Sequence, residues 1–235
     1  MGRFIKTVTG RLIAANAALF VVFLVLVKFV AGPGFADYVG VDGARPWPWT
    51  FLTYMFVHDS LLDLLFNMLW LWLFARIVME FSTPRQLLLC YVLGGLGGGL
   101  LFWGAAAAGL TGGVLLGASA AVLALIAYAG VRIPYLKLNL MLIGAVSVRA
   151  IALIAAVLSL LPFLLGNGGG GWAHLGGLLA GVGYALYMRR ARRFRIVRPS
   201  EKKTLDDLLD KVRRSGYSSL TKDERRQLLE YSKSL

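Results

Sequence analysis

The sequence predicts an all-α membrane protein, in which six transmembrane helices form a bundle and a small soluble helical tail follows. Hydrophobic residues make up 58% of the chain and charged residues only 16%, whereas charged residues are about a quarter of an average soluble domain. Apolar stretches of bilayer-spanning length recur up to Met188. At Arg189 the composition changes abruptly. We therefore expect a membrane domain over residues 1–188, and a basic linker with a cytoplasmic helical hairpin over residues 189–235.

Each predicted span is an apolar run bounded by charged, proline or glycine residues. The first span could also be a signal peptide, but its apolar run is longer than the apolar region of a signal peptide, and no clear small-x-small cleavage site follows it. In the third span Gly94 and Gly98 form a small-xxx-small pair, which predicts close helix packing. The sixth span has a ridge of small residues at four-residue spacing, which predicts the same: Ala173, Gly177, Gly181 and Ala185. The six spans are Leu12–Val30, Leu61–Val78, Gln86–Ala108, Ala118–Gly130, Ala150–Leu165 and Trp172–Met188.

The connecting segments differ in how much structure their sequences predict. Residues Ala31–Val57 form a loop, ending in a short interfacial helix over Phe51–Val57. Pro84 predicts a turn, and Gly166–Gly171 predicts a loop. The conformation of residues 131–149 does not follow from the sequence. In the tail, Leu205, Leu208, Leu209 and Val212 have helical periodicity, Ser215-Gly216 ends that helix, and Thr221-Lys222-Asp223-Glu224 predicts a capping box for a last helix to about Lys233.

The basic residues predict the orientation and argue against nucleic acid as a partner. The net charge is +13, but it is concentrated at the termini and in short loops on one side of the predicted bundle. By the positive-inside rule, both termini are cytoplasmic and the protein is multi-pass in a cell membrane, as in the bacterial inner membrane. One cysteine and two histidines are too few for a zinc site, so we predict no metal and no cofactor.

Four polar residues fall near the outer ends of three predicted spans. Asp63 and Asn67 share one face of the second span, Ser119 begins the fourth and His174 lies near the start of the sixth. Polar groups at membrane depth are costly and usually functional, and a serine with a histidine suggests a nucleophile and its base. Individually, the serine could be a helix cap, the histidine a packing residue and the asparagine a helix–helix hydrogen-bonding group.

These residues resemble the motifs of the rhomboid family of intramembrane serine proteases, over about residues 47–188. His58, Asp63 and Asn67 have the spacing of the family's His-x4-His-x3-Asn motif. The segment Gly117-Ala118-Ser119-Ala120 is similar to Gly-x-Ser-Gly, and Ala173-His174 with Gly177 and Gly181 is similar to Ala-His-x2-Gly-x3-Gly. We interpret His58 as a group that orients the loop and not as a base.

The resemblance implies a Ser119/His174 catalytic dyad that cleaves single-span membrane substrates within the lipid bilayer. It also implies an oxyanion and substrate-binding site at Asn67, Asp63 and Gly117, with the Ser119 N–H as a donor. Asp63 departs from the family, which has histidine there. An ionised Asp63 would repel an oxyanion, whereas a buried, neutral one would donate a hydrogen bond. Ala120 and Leu123 are further departures, and we expect the first to preserve close helix contact.

Two other classes of function are consistent with parts of the sequence. A rhomboid-like protein with weak or no catalysis that binds transmembrane clients is favoured by Asp63 and opposed by the retention of Ser119 and His174. A small-solute transporter is disfavoured, because the chain has no internal repeats or matched broken helices in two halves.

Overall fold

A computed structural model describes residues 6–140, 144–164, 168–194 and 205–233. Within them the chain is mainly helical. The helices are α1 (Val8–Leu26), α2 (Ala36–Val39), α3 (Thr50–Thr53), α4 (Leu61–Met79), α5 (Pro84–Ala107), α6 (Ser119–Arg132), α7 (Val148–Leu164), α8 (Gly168–Phe194), α9 (Leu205–Ser215) and α10 (Lys222–Lys233). Four short strands in these residues form two antiparallel pairs. Strand β1 (Val41–Asp42) pairs with the distant β2 (Val114–Leu115), and β3 (Lys137–Leu140) forms a hairpin with β4 (Gly144–Ser147).

The apolar helices establish a helical membrane protein. Helices α1, α4 and α5 are each long and apolar enough to cross a membrane, and two shorter apolar helices cover Ser119–Arg132 and Val148–Ser159. The long helices α1, α4, α5, α6, α7 and α8 correspond in order to the six predicted spans. The fold class is therefore as expected, and the count of six spans stays a prediction.

Helix α6 forms the centre of the bundle, because it is short and its side chains are small. It packs against α4, α5 and α7, and Ala121, Ala124 and Leu125 are completely buried. On its α5 side, the predicted pair Gly94 and Gly98 lies against Ala124 and Ala120. Added side chains at these glycines would collide with α6, so the small residues determine how closely the helices approach.

The predicted small-residue ridge of α8 packs on the other side of α6. A Cβ atom added at Gly177 would lie 2.7 Å from the carbonyl carbon of Ala120, and one added at Gly181 would lie 2.8 Å from that of Ala124. Both distances are shorter than van der Waals contact. The expectation that Ala120 permits close contact is therefore confirmed, because the neighbouring helices place glycine against it.

The turn predicted at Pro84 is present over residues 80–82, just before it, whereas two other predicted connections differ in detail from the structure. Pro84 itself begins α5, where Thr83 and Gln86 form a capping box. Proline is favoured at a first helical position because its missing N–H is not needed there. In the glycine segment 166–171, residues 168–171 belong to α8, while 166 and 167 lie outside the described residues. The predicted interfacial helix is α3 followed by a 3-10 turn, Tyr54–Phe56.

Residues 131–149, for which the sequence predicted no conformation, include the β3–β4 hairpin. Its register pairs Lys137 with Ser147 and Leu140 with Gly144, and Val148 then donates its N–H to the Leu136 carbonyl as α7 begins. The hairpin therefore connects α6 to α7 through paired backbone and not through an open loop.

The chain divides into two compact units, Met1–Tyr187 and Met188–Leu235. In the second unit, α9 and α10 form a helical hairpin around Leu208 and Leu220, which are almost fully buried. Thr221 and Glu224 form the predicted capping box, and Lys211 Nζ lies 2.8 Å from Glu224 Oε2. Of the arginine run, Arg189 and Arg190 continue α8, and residues 195–200 lie outside the described part of the chain.

Candidate active site

Ser119 and His174 form a hydrogen-bonded pair at one end of the bundle. His174 Nε2 lies 3.0 Å from Ser119 Oγ, although the residues are 55 positions apart. Ser119 is the first residue of α6, and His174 lies in the second turn of α8. Three residues beyond His174, Gly177 packs against Ala120, the neighbour of Ser119. The close helix contact therefore holds the hydroxyl within reach of a base.

The start of α6 leaves backbone N–H groups without a capping side chain. The N-cap residue is Ala118, which makes no side-chain capping bond. The first N–H groups of a helix have no partner within the helix and carry the positive end of its dipole. This arrangement can stabilise negative charge that develops beside Ser119.

Gly117 determines the backbone conformation of the segment that leads into α6. Its φ of +111° lies in a region that favours glycine, and its N–H donates to the Tyr54 carbonyl at 3.0 Å. The Tyr54 hydroxyl in turn donates to the Gly95 carbonyl at 2.6 Å. The 3-10 turn before α4 therefore anchors the residue that leads into Ser119, a support that no sequence pattern indicated.

Asp63 and Asn67 are bonded to each other at the start of α4. The Asn67 amide nitrogen donates to the Asp63 carbonyl at 2.9 Å and to Asp63 Oδ1 at 2.8 Å. The other carboxyl oxygen, Oδ2, faces Gly117, since a Cβ added there would lie 3.5 Å from it. The structure therefore brings Asp63 next to the α6 approach, and it directs the Asn67 amide to Asp63.

An apolar cavity adjoins the pair and extends along the bundle between α4, α6 and α7. Its volume is about 500 Å³. Ser119, His174 and Asn67 line one part of it, and the remaining lining residues are almost all apolar: Trp70, Val122, Leu123, Ile126, Val146, Ile151, Ile154, Ala155, Leu158 and Ser159. Asp63 and Gly117 lie beside the cavity and not in its lining. Its composition suits an apolar polypeptide segment.

Two features of this region were missed from the sequence. Ser159 of α7 is 7% exposed and lines the cavity with Ser119 and His174; a lone serine in an otherwise apolar span was the available signal. Val146 of the β3–β4 hairpin also lines the cavity, although its segment had no predicted structure.

His58 lies in the short loop before α4, in the interior of the protein. Its side chain is completely buried, between the 3-10 turn and α4. Burial lowers its pKa to about 4, because the charged imidazolium loses its hydration. Because burial disfavours the charged imidazolium, the neutral ring is the form that the fold accommodates. His58 does not line the cavity.

Within the described residues, no group of three or more His, Cys, Asp or Glu side chains could hold a metal ion. The groups that the structure brings together here are a hydroxyl, an imidazole, an amide and a carboxyl group, together with the backbone N–H groups of a helix start.

The fold and the site define a helical membrane protein with a serine–histidine pair beside an apolar cavity. A family model described as the Rhomboid domain matches residues 46–191. The chain therefore belongs to the rhomboid family, whose members are in general intramembrane serine proteases that act on transmembrane substrates. A second model, described as a family of unknown function (DUF6576), matches residues 191–234. No curated protein matched the chain significantly.

Proposed function

We propose that this protein is an intramembrane serine endopeptidase that cleaves single-span membrane proteins with a Ser119/His174 dyad. The observation that carries the proposal is the 3.0 Å contact between His174 Nε2 and Ser119 Oγ beside an apolar cavity. A hydroxyl bonded to an imidazole is the arrangement required for an activated nucleophile.

The reaction would proceed through an acyl-enzyme. His174 Nε2 takes the proton of the Ser119 hydroxyl as Oγ attacks the peptide carbonyl carbon. The protonated His174 then donates that proton to the leaving amine as the peptide C–N bond breaks. A water molecule, deprotonated by His174, attacks the ester and releases the new carboxyl end, and the proton returns to Ser119 Oγ.

The tetrahedral intermediate needs donors for its negative oxygen. The Ser119 N–H at the uncapped start of α6 is one, and the Asn67 amide is a second. Loss of one such donor typically lowers the rate by about 100- to 1,000-fold. In the resting structure the Asn67 amide donates to Asp63, so its use here requires the amide to exchange Asp63 for the oxyanion.

Asp63 is the residue that sets the efficiency of the site. As a neutral acid it could donate from Oδ2, which faces Gly117, whereas as a carboxylate it would oppose the oxyanion and hold the Asn67 amide. We therefore propose that Asp63 limits the rate, and that the family residue in its place, Asp63→His, raises it.

The shape of the cavity supports an apolar segment of a transmembrane helix as the substrate. Between Ser119 and Ile126 the lining follows α6 for about 10 Å, since a helix rises about 1.5 Å per residue. A substrate segment lying there would meet Trp70, Ile154 and Leu158, which are apolar and partly exposed. Charged residues close to the cleaved bond would lose their hydration and bind poorly.

We further propose that the protein lies in a bacterial inner membrane with both termini in the cytoplasm. The support is the distribution of Lys and Arg residues, which fall at the N-terminus, in the short connections on the same predicted side and after Met188. The dyad would then face the outer side, where water can enter for hydrolysis.

A second candidate function is the binding of transmembrane clients with little or no cleavage. The observation that favours it is the bond between Asp63 and Asn67, which occupies an amide that oxyanion stabilisation needs. In that case the cavity would hold an apolar helix without turnover.

Labelling with a fluorophosphonate probe tests the proposed dyad. The wild-type protein, purified in detergent, should become labelled at Ser119. Ser119→Ala should abolish labelling and His174→Ala should lower its rate by at least about 100-fold, the contribution of a general base. Ser82→Ala is the matched control, because Ser82 bonds to Tyr128 and does not line the cavity. Equal labelling of the His174 variant would exclude His174 as the base, and an unlabelled wild type would favour client binding.

A further inference from the structure

On the outer face of α9 in the C-terminal hairpin, an exposed leucine lies between charged side chains. Leu209 is 48% exposed, and Asp206, Asp210 and Arg213 are exposed beside it. Residues 206, 209, 210 and 213 lie on one side of a helix, because they are three, four and seven positions apart. The opposite side, with the fully buried Leu208, packs toward α10.

The inner contacts of the hairpin leave this outer face available for a partner. Lys211 bonds to Glu224 across the hairpin at 2.8 Å, and Leu220 is 3% exposed. Two helices of eleven and twelve residues nevertheless bury little apolar surface, and units of this size generally need additional burial for stability. A helix face with a half-exposed leucine at its centre can provide it.

The order of charges identifies a second copy of this chain as the partner. Acidic residues occupy the first turn of α9, and Arg213 and Arg214 occupy the last. When two such helices pair antiparallel about a two-fold axis near Leu209, each Asp206 lies opposite Arg213 of the other copy and the two leucines meet. Asp210 is compensated within its own helix by Arg214, 3.9 Å away. A parallel pair would instead place like charges together.

We propose that the α9 outer face, defined as Asp206, Leu209, Asp210 and Arg213, is a self-association surface through which two copies of the protein form a symmetric dimer. Such an interface is isologous, so each contact occurs twice. It is smaller than the roughly 1,200 Å² that stable soluble complexes bury. Confinement of both copies to one membrane raises their effective concentration, which makes a weak contact sufficient.

Disulfide cross-linking of the full-length chain in lipid bilayers tests this surface. In a Cys90→Ser background, Leu209→Cys should form a disulfide-linked dimer on mild oxidation, because a residue at the two-fold axis meets its own copy. Leu229→Cys is the matched control, since Leu229 is 57% exposed on α10 and away from the axis. Comparable cross-linking at Leu229, or none at Leu209, would overturn the proposal.

Charge reversal distinguishes the paired geometry from random collision. Asp206→Arg and Arg213→Asp, each added to Leu209→Cys, should lower cross-linking by about tenfold, which corresponds to roughly 1.4 kcal/mol. A mixture of the two variants should restore it. In the mixed dimer the introduced arginine faces the introduced aspartate in one contact, and the native Asp206 and Arg213 face each other in the second. This recovery also shows that both variants fold.

Salt provides a further check on the same contact. Raised salt should weaken cross-linking of the Leu209→Cys parent, because screening reduces the attraction between exposed charges. Charge variants that cross-link as well as their parent, or a mixture that shows no recovery, would refute the antiparallel pair.

Discussion

Replacement of Gly177 by alanine should separate the two helices that carry Ser119 and His174. Gly177 lies three residues, just under one helical turn, beyond His174 on α8. It packs against Ala120, which follows Ser119 on α6. The added Cβ would lie 2.7 Å from the Ala120 carbonyl carbon and 2.9 Å from its Cα. These neighbours are backbone atoms, so rotation of a side chain cannot relieve the overlap.

The displacement can be estimated from contact distances. Carbon atoms pack at about 3.5–4.0 Å, so α8 must move away from α6 by about 1 Å. The distance from His174 Nε2 to Ser119 Oγ, now 3.0 Å, would then exceed the range of an effective hydrogen bond. A displacement of about 1 Å at a reacting pair typically costs about 100-fold in rate. The overpacking should also lower the free energy of unfolding by about 1–3 kcal/mol.

The assay is the rate of fluorophosphonate labelling at Ser119, together with the melting temperature in detergent. Gly183→Ala is the matched control, because Gly183 lies on the same helix and a Cβ added there meets no atom of the described residues within 4 Å. It should label at the wild-type rate and be stabilised by up to about 1 kcal/mol through its higher helix propensity.

Wild-type labelling and wild-type stability in Gly177→Ala would refute this reasoning. That result would mean that the α6–α8 contact does not control the distance between the serine and the histidine. An equal loss of labelling in Gly183→Ala would also contradict it, since a Cβ added at Gly183 meets no atom of α6 within 4 Å in the described part of the chain.

Three further predictions concern pH, Asp63 and topology. His58 has a folded-state pKa of about 4 against about 6.5 for a free side chain, so the free energy of unfolding should be at its full value above pH 6.5 and fall by about 3 kcal/mol as the pH drops to 4. In His58→Gln the melting temperature should depend less on pH over this window. An unchanged pH dependence in that variant would contradict the assignment. Asp63→His should raise the cleavage rate at least about tenfold, part of what one oxyanion donor contributes, while unchanged rates and pH profiles in both Asp63→His and Asp63→Asn would remove Asp63 from the site. In cells that express the protein with Cys90→Ser, an added Leu110→Cys should react with an impermeant thiol reagent from outside, and an added Ser219→Cys should not. The reverse pattern would overturn the proposed orientation.

The helices and their contacts were largely predictable, because each was encoded in local sequence. Apolar runs of bilayer length produced α4 and α5 nearly residue for residue. The four-residue spacing of small residues on α8 predicted the ridge that contacts α6, since helical geometry places such residues on one face. The placement of charges and the spacing of the motifs likewise predicted that Ser119, His174 and Asp63 lie at one end of the bundle.

Other features depend on interactions that local sequence does not encode. The β3–β4 hairpin was missed because only Lys137–Leu140 alternates polar and apolar residues, and its partner strand Gly144–Ser147 does not. The bond between Gly117 and the Tyr54 carbonyl joins backbone atoms 63 positions apart. The contact from Asn67 to Asp63 Oδ1 depends on side-chain rotamers, and the spacing of the two residues predicted only that they share a face.

Cleavage of a generic single-span membrane substrate by the purified full-length chain tests the central claim most directly. Substrate and enzyme should be reconstituted together in lipid vesicles, and the products identified by mass. The account predicts a cut within or next to the apolar segment, on its outer side, by the wild type and by Ser82→Ala, and none by Ser119→Ala or His174→Ala. Cleavage that persists in Ser119→Ala would contradict the account, because the product would then arise without the proposed nucleophile.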